Sequence, residues 1–134
     1  MSAGEIRVSI NSDKDIVSAR QKGRLMATEL GFSTGDATLI ATAISELARN
    51  IVSYASKGQI TLKIVNGLNR HGISVIATDD GPGIPDIRQA LRDGFSTSGS
   101  LGLGLPGVRR LMDEFEITSQ PGRGTIVAVK KWRQ

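Results

Sequence analysis

Apolar and polar residues alternate at the start of the chain. Ile6, Val8 and Ile10 stand against Glu5, Arg7 and Ser9, and a period of two predicts a half-buried strand. The period then lengthens. Ser12 and Asp15 make a capping pair that opens a helix with Ile16, Ala19, Gly23, Met26, Ala27 and Leu30 on its small or apolar side, and Gly31 stops it. A second helix begins near the sequence STGD and carries Ile40, Ile44, Leu47, Ile51 and Ala55 on one face until Gly58. Residues 59–65 (QITLKIV) and 73–79 (ISVIATD) read as two antiparallel strands joined by the turn NGLNRHG. The rest of the chain is more broken. It runs through DDGPGIPD, a short helix at 86–94, a polar loop and a helix over LPGVRRLMDEF, and ends in strands at 115–119 and 125–132 around QPGRG.

Antiparallel strands with helices interspersed define the α+β class. The expected architecture is a two-layer α/β sandwich: one mixed, mostly antiparallel sheet with helices on a single face. A chain of 134 residues without repeat or linker is read as one domain, residues 1–134.

Composition removes several chemistries. There is no cysteine and a single histidine, His71, so disulfides, thiolate metal sites, cysteine nucleophiles, histidine metal clusters and Ser-His triads are excluded. The N-terminal MSAGEIRVSIN has no apolar signal core, and no stretch approaches the ~20 apolar residues of a membrane span, so a cytoplasmic protein without membrane contact is expected. The net charge of +4 favours an anionic ligand or an acidic partner. Nucleic acid is disfavoured, because the five aromatic rings do not interleave with the basic residues.

Four short stretches hold candidate chemistry. In GSLGLGLPGVRRL, Gly102, Gly104 and Gly107 have the spacing G-x-G-x-x-G. A dinucleotide fingerprint needs a buried strand running into the first glycine, and a P-loop needs Lys and Ser or Thr after the last. Polar RDGFSTSGSL precedes these glycines and Val108, Arg109 and Arg110 follow them, so both readings fail. A polar loop feeding a helix N-terminus remains, either as an anion site or as a plain loop. In ISELARNIV, Glu46 and Asn50 lie one turn apart at the edge of the apolar stripe, with Arg49 directed away from it. That edge faces either solvent or a cleft. Asp79, Asp80, Gly81, Pro82 and Gly83 end an apolar strand, which suits a tight turn or an acceptor for an exocyclic amine. PGRGT is a hairpin turn followed by Thr125, whose hydroxyl is a candidate ligand contact.

In order, these stretches are E-x-x-x-N (Glu46, Asn50), D-x-G-x-G (Asp79, Gly81, Gly83), G-x-G (Gly102, Gly104) and G-x-G-T (Gly122, Gly124, Thr125). Together they resemble the N, G1 and glycine boxes of the GHKL ATP-binding superfamily, whose fold is the Bergerat type. Residues 18–55 also look like the RsbT-type serine/threonine switch kinases of the bacterial stressosome.

The resemblance implies ATP and Mg²⁺ as cofactors. It implies that Asp79 accepts the adenine amino group, that Asn50 ligates the metal and that Glu46 is the general base. Gly81, Gly83 and Thr125 would be further contacts to the nucleotide. Backbone N–H groups of Gly102, Leu103, Gly104 and Leu105 would meet the phosphates, with Gly102 and Gly104 hinging a lid over residues 94–104. Ser96, Thr97, Ser98, Arg109 and Arg110 stay between phosphate contact and plain surface. The implied function is a protein kinase whose partners are STAS-domain proteins bearing Ser or Thr acceptors, together with a protein phosphatase that the released kinase activates. A binding module that regulates its partner with little or no phosphotransfer is the alternative.

Overall fold

The computed structural model describes residues 4–83 and 104–133. The elements run β1 (Glu5–Ile10), α1 (Asp13–Glu29), α2 (Thr34–Tyr54), β2 (Gly58–Gly67), β3 (Arg70–Asp79), α3 (Gly104–Leu111), β4 (Glu114–Gln120) and β5 (Gly124–Trp132). The helix expected at 86–94 and the polar loop after it lie outside the described residues.

Local chemistry sets the helix ends. The Asp15 carboxylate accepts the N–H groups of Asn11 at 2.8 Å and Ser12 at 3.2 Å, which satisfies backbone donors ahead of α1. Helix α1 then ends at Leu30, and Gly31 turns the chain in the left-handed region at φ 89°. Ser33 caps α2 by accepting the N–H of Asp36 at 3.1 Å.

The strands form one five-stranded sheet in the order β1-β2-β3-β5-β4. Every ladder is antiparallel, so the sheet is not mixed among the described residues. The reason lies in the connection from β1 to β2, which contains two helices. One helix takes the chain away and the next returns it to the sheet end it left, where Ile10 pairs with Gly58. A single crossover helix would have made that pair parallel.

The β2–β3 hairpin is also tighter than the expected turn. Asn66 pairs with His71 and Gly67 with Arg70, which leaves only Leu68 and Asn69 at the tip. Side chains hold this end of the sheet together: Asn66 Oδ1 lies 2.5 Å from His71 Nδ1, and the Arg70 guanidinium stacks 3.8 Å from the centre of the Trp132 ring.

On the helix side of the sheet, side chains line up in rows across the strands. One row is Ile6, Leu62, Val75, Val129 and Phe115, and the next is Val8, Ile60, Ala77, Val127 and Ile117. Helix α2 covers them with Ile40, Ile44, Leu47, Ala48 and Ile51, all buried. Helix α1 packs beside it so closely that a Cβ on Gly23 would stand 2.1 Å from Ile44 Cδ1. Each large apolar side chain so buried contributes roughly 1.5–3 kcal/mol.

Ile44, at 0% exposure, lies at the junction of both helices and the sheet. Ile44→Ala is expected to cost about 2–5 kcal/mol through lost contacts and the remaining cavity. Urea unfolding should show a lower midpoint with an unchanged slope; an unchanged midpoint would mean that the helix pair is not anchored there.

Candidate functional site

The third row on the helix side changes character. It reads Ile10, Gly58, Asp79, Thr125 and Ser119, polar across the last three strands. The apolar layer therefore stops one row short of the sheet end. The last turns of α2 overhang this row: a Cβ on Gly58 would stand 2.9 Å from Ile51 Cγ2, and one on Gly81 would stand 2.6 Å from Ala55 Cβ. Helix α2 is thus the roof of a site whose floor is the polar row.

Asp79 ends β3, and its Oδ1 accepts the Gly81 N–H at 2.9 Å. That bond closes a short turn and fixes the carboxylate, while no bond among the described residues engages Oδ2. Thr125 is Asp79's ladder partner on the same face, and its hydroxyl lies 2.9 Å from Ser119 Oγ. The turn before β5 presses against the end of β3. Gly124 has φ 94°, and a Cβ there would fall 2.0 Å from the Asp79 carbonyl oxygen, so only glycine fits. The Gly122 N–H donates to the Pro82 carbonyl at 2.7 Å, and Gly83 abuts the Gln120 carbonyl. Asp79, Gly81, Gly83 and Thr125 are therefore brought together at one end of the sheet.

Glu46 and Asn50 sit on α2. Of the two readings of that helix edge, solvent is excluded for Glu46, which is only 6% exposed. Its Oε2 accepts the Gly104 N–H at 3.3 Å, so the carboxylate meets the first residue of α3. Its Oε1 accepts from Arg49 Nη1 at 3.0 Å. Arg49, directed away from the apolar stripe and partly exposed, still reaches this carboxylate. A buried carboxylate without a partner is costly, and the residue three positions along the helix is within reach to supply one. Asn50 is half-buried one turn further on, with no side-chain hydrogen bond among the described residues.

Helix α3 is seated by Leu105 and Val108, both buried against α2. Leu105 thus contributes its side chain to the core, while the backbone at the helix start stays beside Glu46. Arg109 and Arg110 are exposed on α3. Gly102, Leu103 and the Ser96, Thr97 and Ser98 stretch lie outside the described residues, as does nearly all of the expected lid.

Two participants were not anticipated. Arg49 was legible in principle, since its spacing from Glu46 suits an ion pair. Ser119 becomes a neighbour of Thr125 only through the β4–β5 register.

Comparison with known proteins places this chain in a family. Residues 35–133 match the family of histidine kinase-, DNA gyrase B- and HSP90-like ATPases, and the chain belongs to it. Serine/threonine-protein kinase RsbT of Bacillus subtilis (strain 168) is 58% identical over 125 residues, spanning 93% of this chain and 94% of that protein. An anti-sigma F factor of Thermoanaerobacter sp. (strain X514) is 38% identical over 99 residues, spanning 69% of this chain and 68% of its own length. Among solved structures, the mycobacterial sensor histidine kinase MprB superposes with a TM-score of 0.56 at 17% identity, covering 97% of this chain and 98% of that one. That last likeness shows the fold.

The two turn glycines separate strain from crowding. Gly122 has φ 77° with nothing within 4 Å of a built Cβ, whereas Gly124 combines φ 94° with the 2.0 Å approach to Asp79. Gly122→Ala should cost about 1 kcal/mol from conformation alone, and Gly124→Ala about 2–4 kcal/mol because the end of β3 must also move. Equal losses in urea unfolding would show that Gly124 does not hold Asp79 in place.

Proposed function

We propose that the protein is an ATP- and Mg²⁺-dependent serine/threonine kinase that phosphorylates STAS-domain switch proteins in bacterial stress signalling. When released from them, it activates a protein phosphatase. The family supports ATP use, and the relative named as a serine/threonine kinase supports transfer to a hydroxyl. The observation that carries the reading is Glu46, a buried carboxylate at the start of α3 and one turn from Asn50. A module that only bound nucleotide would have no use for a base at that place.

The groups present fit the ligands. Asp79 Oδ2 is an acceptor for the adenine amino group, and Thr125 lies beside it on the same row. Gly81 and Gly83 shape the turn around that end of the nucleotide. The Asn50 amide oxygen, which has no partner among the described residues, is a hard donor that would hold Mg²⁺. The ion supplies positive charge to the phosphates when bound. Backbone N–H groups at the start of α3, Gly104 and Leu105 with Gly102 and Leu103 before them, bind phosphate oxygens with the favourable end of the helix dipole.

Glu46 then orients the acceptor hydroxyl and takes its proton as the oxygen attacks the γ-phosphorus, and ADP leaves. Oε2 is the oxygen suited to this, because its one hydrogen bond among the described residues is the long one from Gly104.

Separate substitutions isolate the base from the metal ligand. Glu46→Gln keeps size and hydrogen-bonding reach but cannot take a proton, so ATP binding should survive while transfer to a serine-bearing STAS protein falls about 10²–10⁴-fold. Asn50→Ala should weaken the Mg²⁺-dependent part of ATP binding as well as turnover. Calorimetry and single-turnover transfer distinguish the two patterns. A wild-type protein that binds ATP but phosphorylates no hydroxyl-bearing partner would instead be a regulatory binding module.

A further inference from the structure

Glu46 has a second relationship, with Arg49, that the reaction outlined above does not use. Arg49 lies three residues along α2 and donates through Nη1 to Oε1 at 3.0 Å. The two ends of this pair differ in environment: the Arg49 side chain is 37% exposed and that of Glu46 is 8% exposed. Among the described residues Arg49 is the only cation bonded to Glu46, and the only side chain hydrogen-bonded to its carboxylate. The two carboxylate oxygens are thereby made unequal. Oε1 is occupied by a charged donor, and Oε2 faces the start of α3 with a single long backbone contact.

We propose that Arg49 is a positioning residue for phosphotransfer: by holding Oε1, it sets the plane of the Glu46 carboxylate and reserves Oε2 for the acceptor hydroxyl. The proposal rests on the reading of Glu46 as the base. Its physical basis is geometric. A carboxylate turns freely about its last bond unless one oxygen is tied, and a turned carboxylate presents neither oxygen along the line of attack. Misplacement by about 1 Å costs on the order of 10²-fold in rate. A guanidinium is suited to the task because its planar fork restricts the direction as well as the distance of the bond. It also acts from the partly exposed side of α2.

A merely structural ion pair would behave differently. Its removal would lower stability and reduce ATP binding and transfer together, whether or not Glu46 was ionisable. A docking residue would instead raise the concentration of partner needed for half-maximal rate. A positioning residue alters the maximal rate, and only while there is a base to position.

The test uses full-length protein, ATP with Mg²⁺, and a serine-bearing STAS protein that the wild type phosphorylates. Arg49→Ala is expected to lower kcat at least tenfold, with KM for ATP and for the STAS protein each within twofold of wild type. Arg49→Lys keeps the charge and much of the reach, and should recover a rate within about threefold of wild type. In the double variant Arg49→Ala/Glu46→Gln, transfer should be no slower than in Glu46→Gln alone, because coupled groups lose their effect together. Circular dichroism melting of each variant confirms that the measured rates belong to folded protein, and Arg49→Met, which keeps the apolar stem but no donor, must show the same tenfold loss of kcat if Arg49→Ala fails to fold.

Three results would overturn the assignment: a wild-type kcat in Arg49→Ala, a loss that multiplies fully with that of Glu46→Gln, or a loss confined to KM for either substrate. A wild-type rate in Glu46→Gln would overturn the base itself. Slow Glu46→Gln beside normal Arg49→Ala would leave the base standing and remove only Arg49.

Discussion

The packing of α2 across the helix side of the sheet is the contact on which the rest of the structure depends. Its apolar stripe from Ala37 to Ile51 closes the core. The same helix runs on past the last apolar row, so its final turns cover a polar one. Core and site are therefore built by one rigid element. Any tilt of α2 large enough to move Glu46 or Asn50 would also open the interface with Ile60, Ala77 and Val127, which the core resists because its interior is close-packed. The absence of a side chain at Gly58 and Gly81 lets the helix end come down on the sheet end.

Electrostatics follow from this placement. Burying Glu46 on the inner side of α2 removes most of its water, and the structure compensates with a guanidinium on one oxygen and a backbone N–H on the other. The second bond joins α2 to the start of α3, so the carboxylate sits where the unpaired N–H groups of a helix end are gathered. Asp79 is managed differently. Its bond to Gly81 is local, and the close approach of Gly124 to its carbonyl fixes the backbone from the other side. One acid is thus held by side-chain and interhelical contacts, the other by turns.

Much of this was legible in the residues. Alternation at Ile6, Val8 and Ile10, and the spacing of Ile40, Ile44, Leu47 and Ile51, mark elements because burial enforces those periods. The order of the acidic and glycine motifs led to the superfamily, and the structure pairs Asp79 with Thr125 across β3 and β5. What was not legible depends on register or on pairing between elements. The wholly antiparallel sheet follows from two helices standing between β1 and β2, and the row of Asp79, Thr125 and Ser119 exists only once β3, β5 and β4 are aligned. Arg49 was read only as directed away from the apolar stripe because a helical wheel gives the direction of Cβ. It does not give the reach of a long side chain whose neighbour is a buried acid.

The central claim is that α2, the end of β3 and the start of α3 enclose a single nucleotide site. The most direct measurement is an amide-resolved NMR titration of the full-length protein with a non-hydrolysable ATP analogue and Mg²⁺. The account predicts the largest shifts at Asp79, Gly81, Gly104, Leu105 and Thr125, with the side-chain amide of Asn50 responding only when Mg²⁺ is present. Shifts confined to the outer face of the sheet, at Thr61, Thr78 and Glu116, with no change at Gly81 or Gly104, would contradict it.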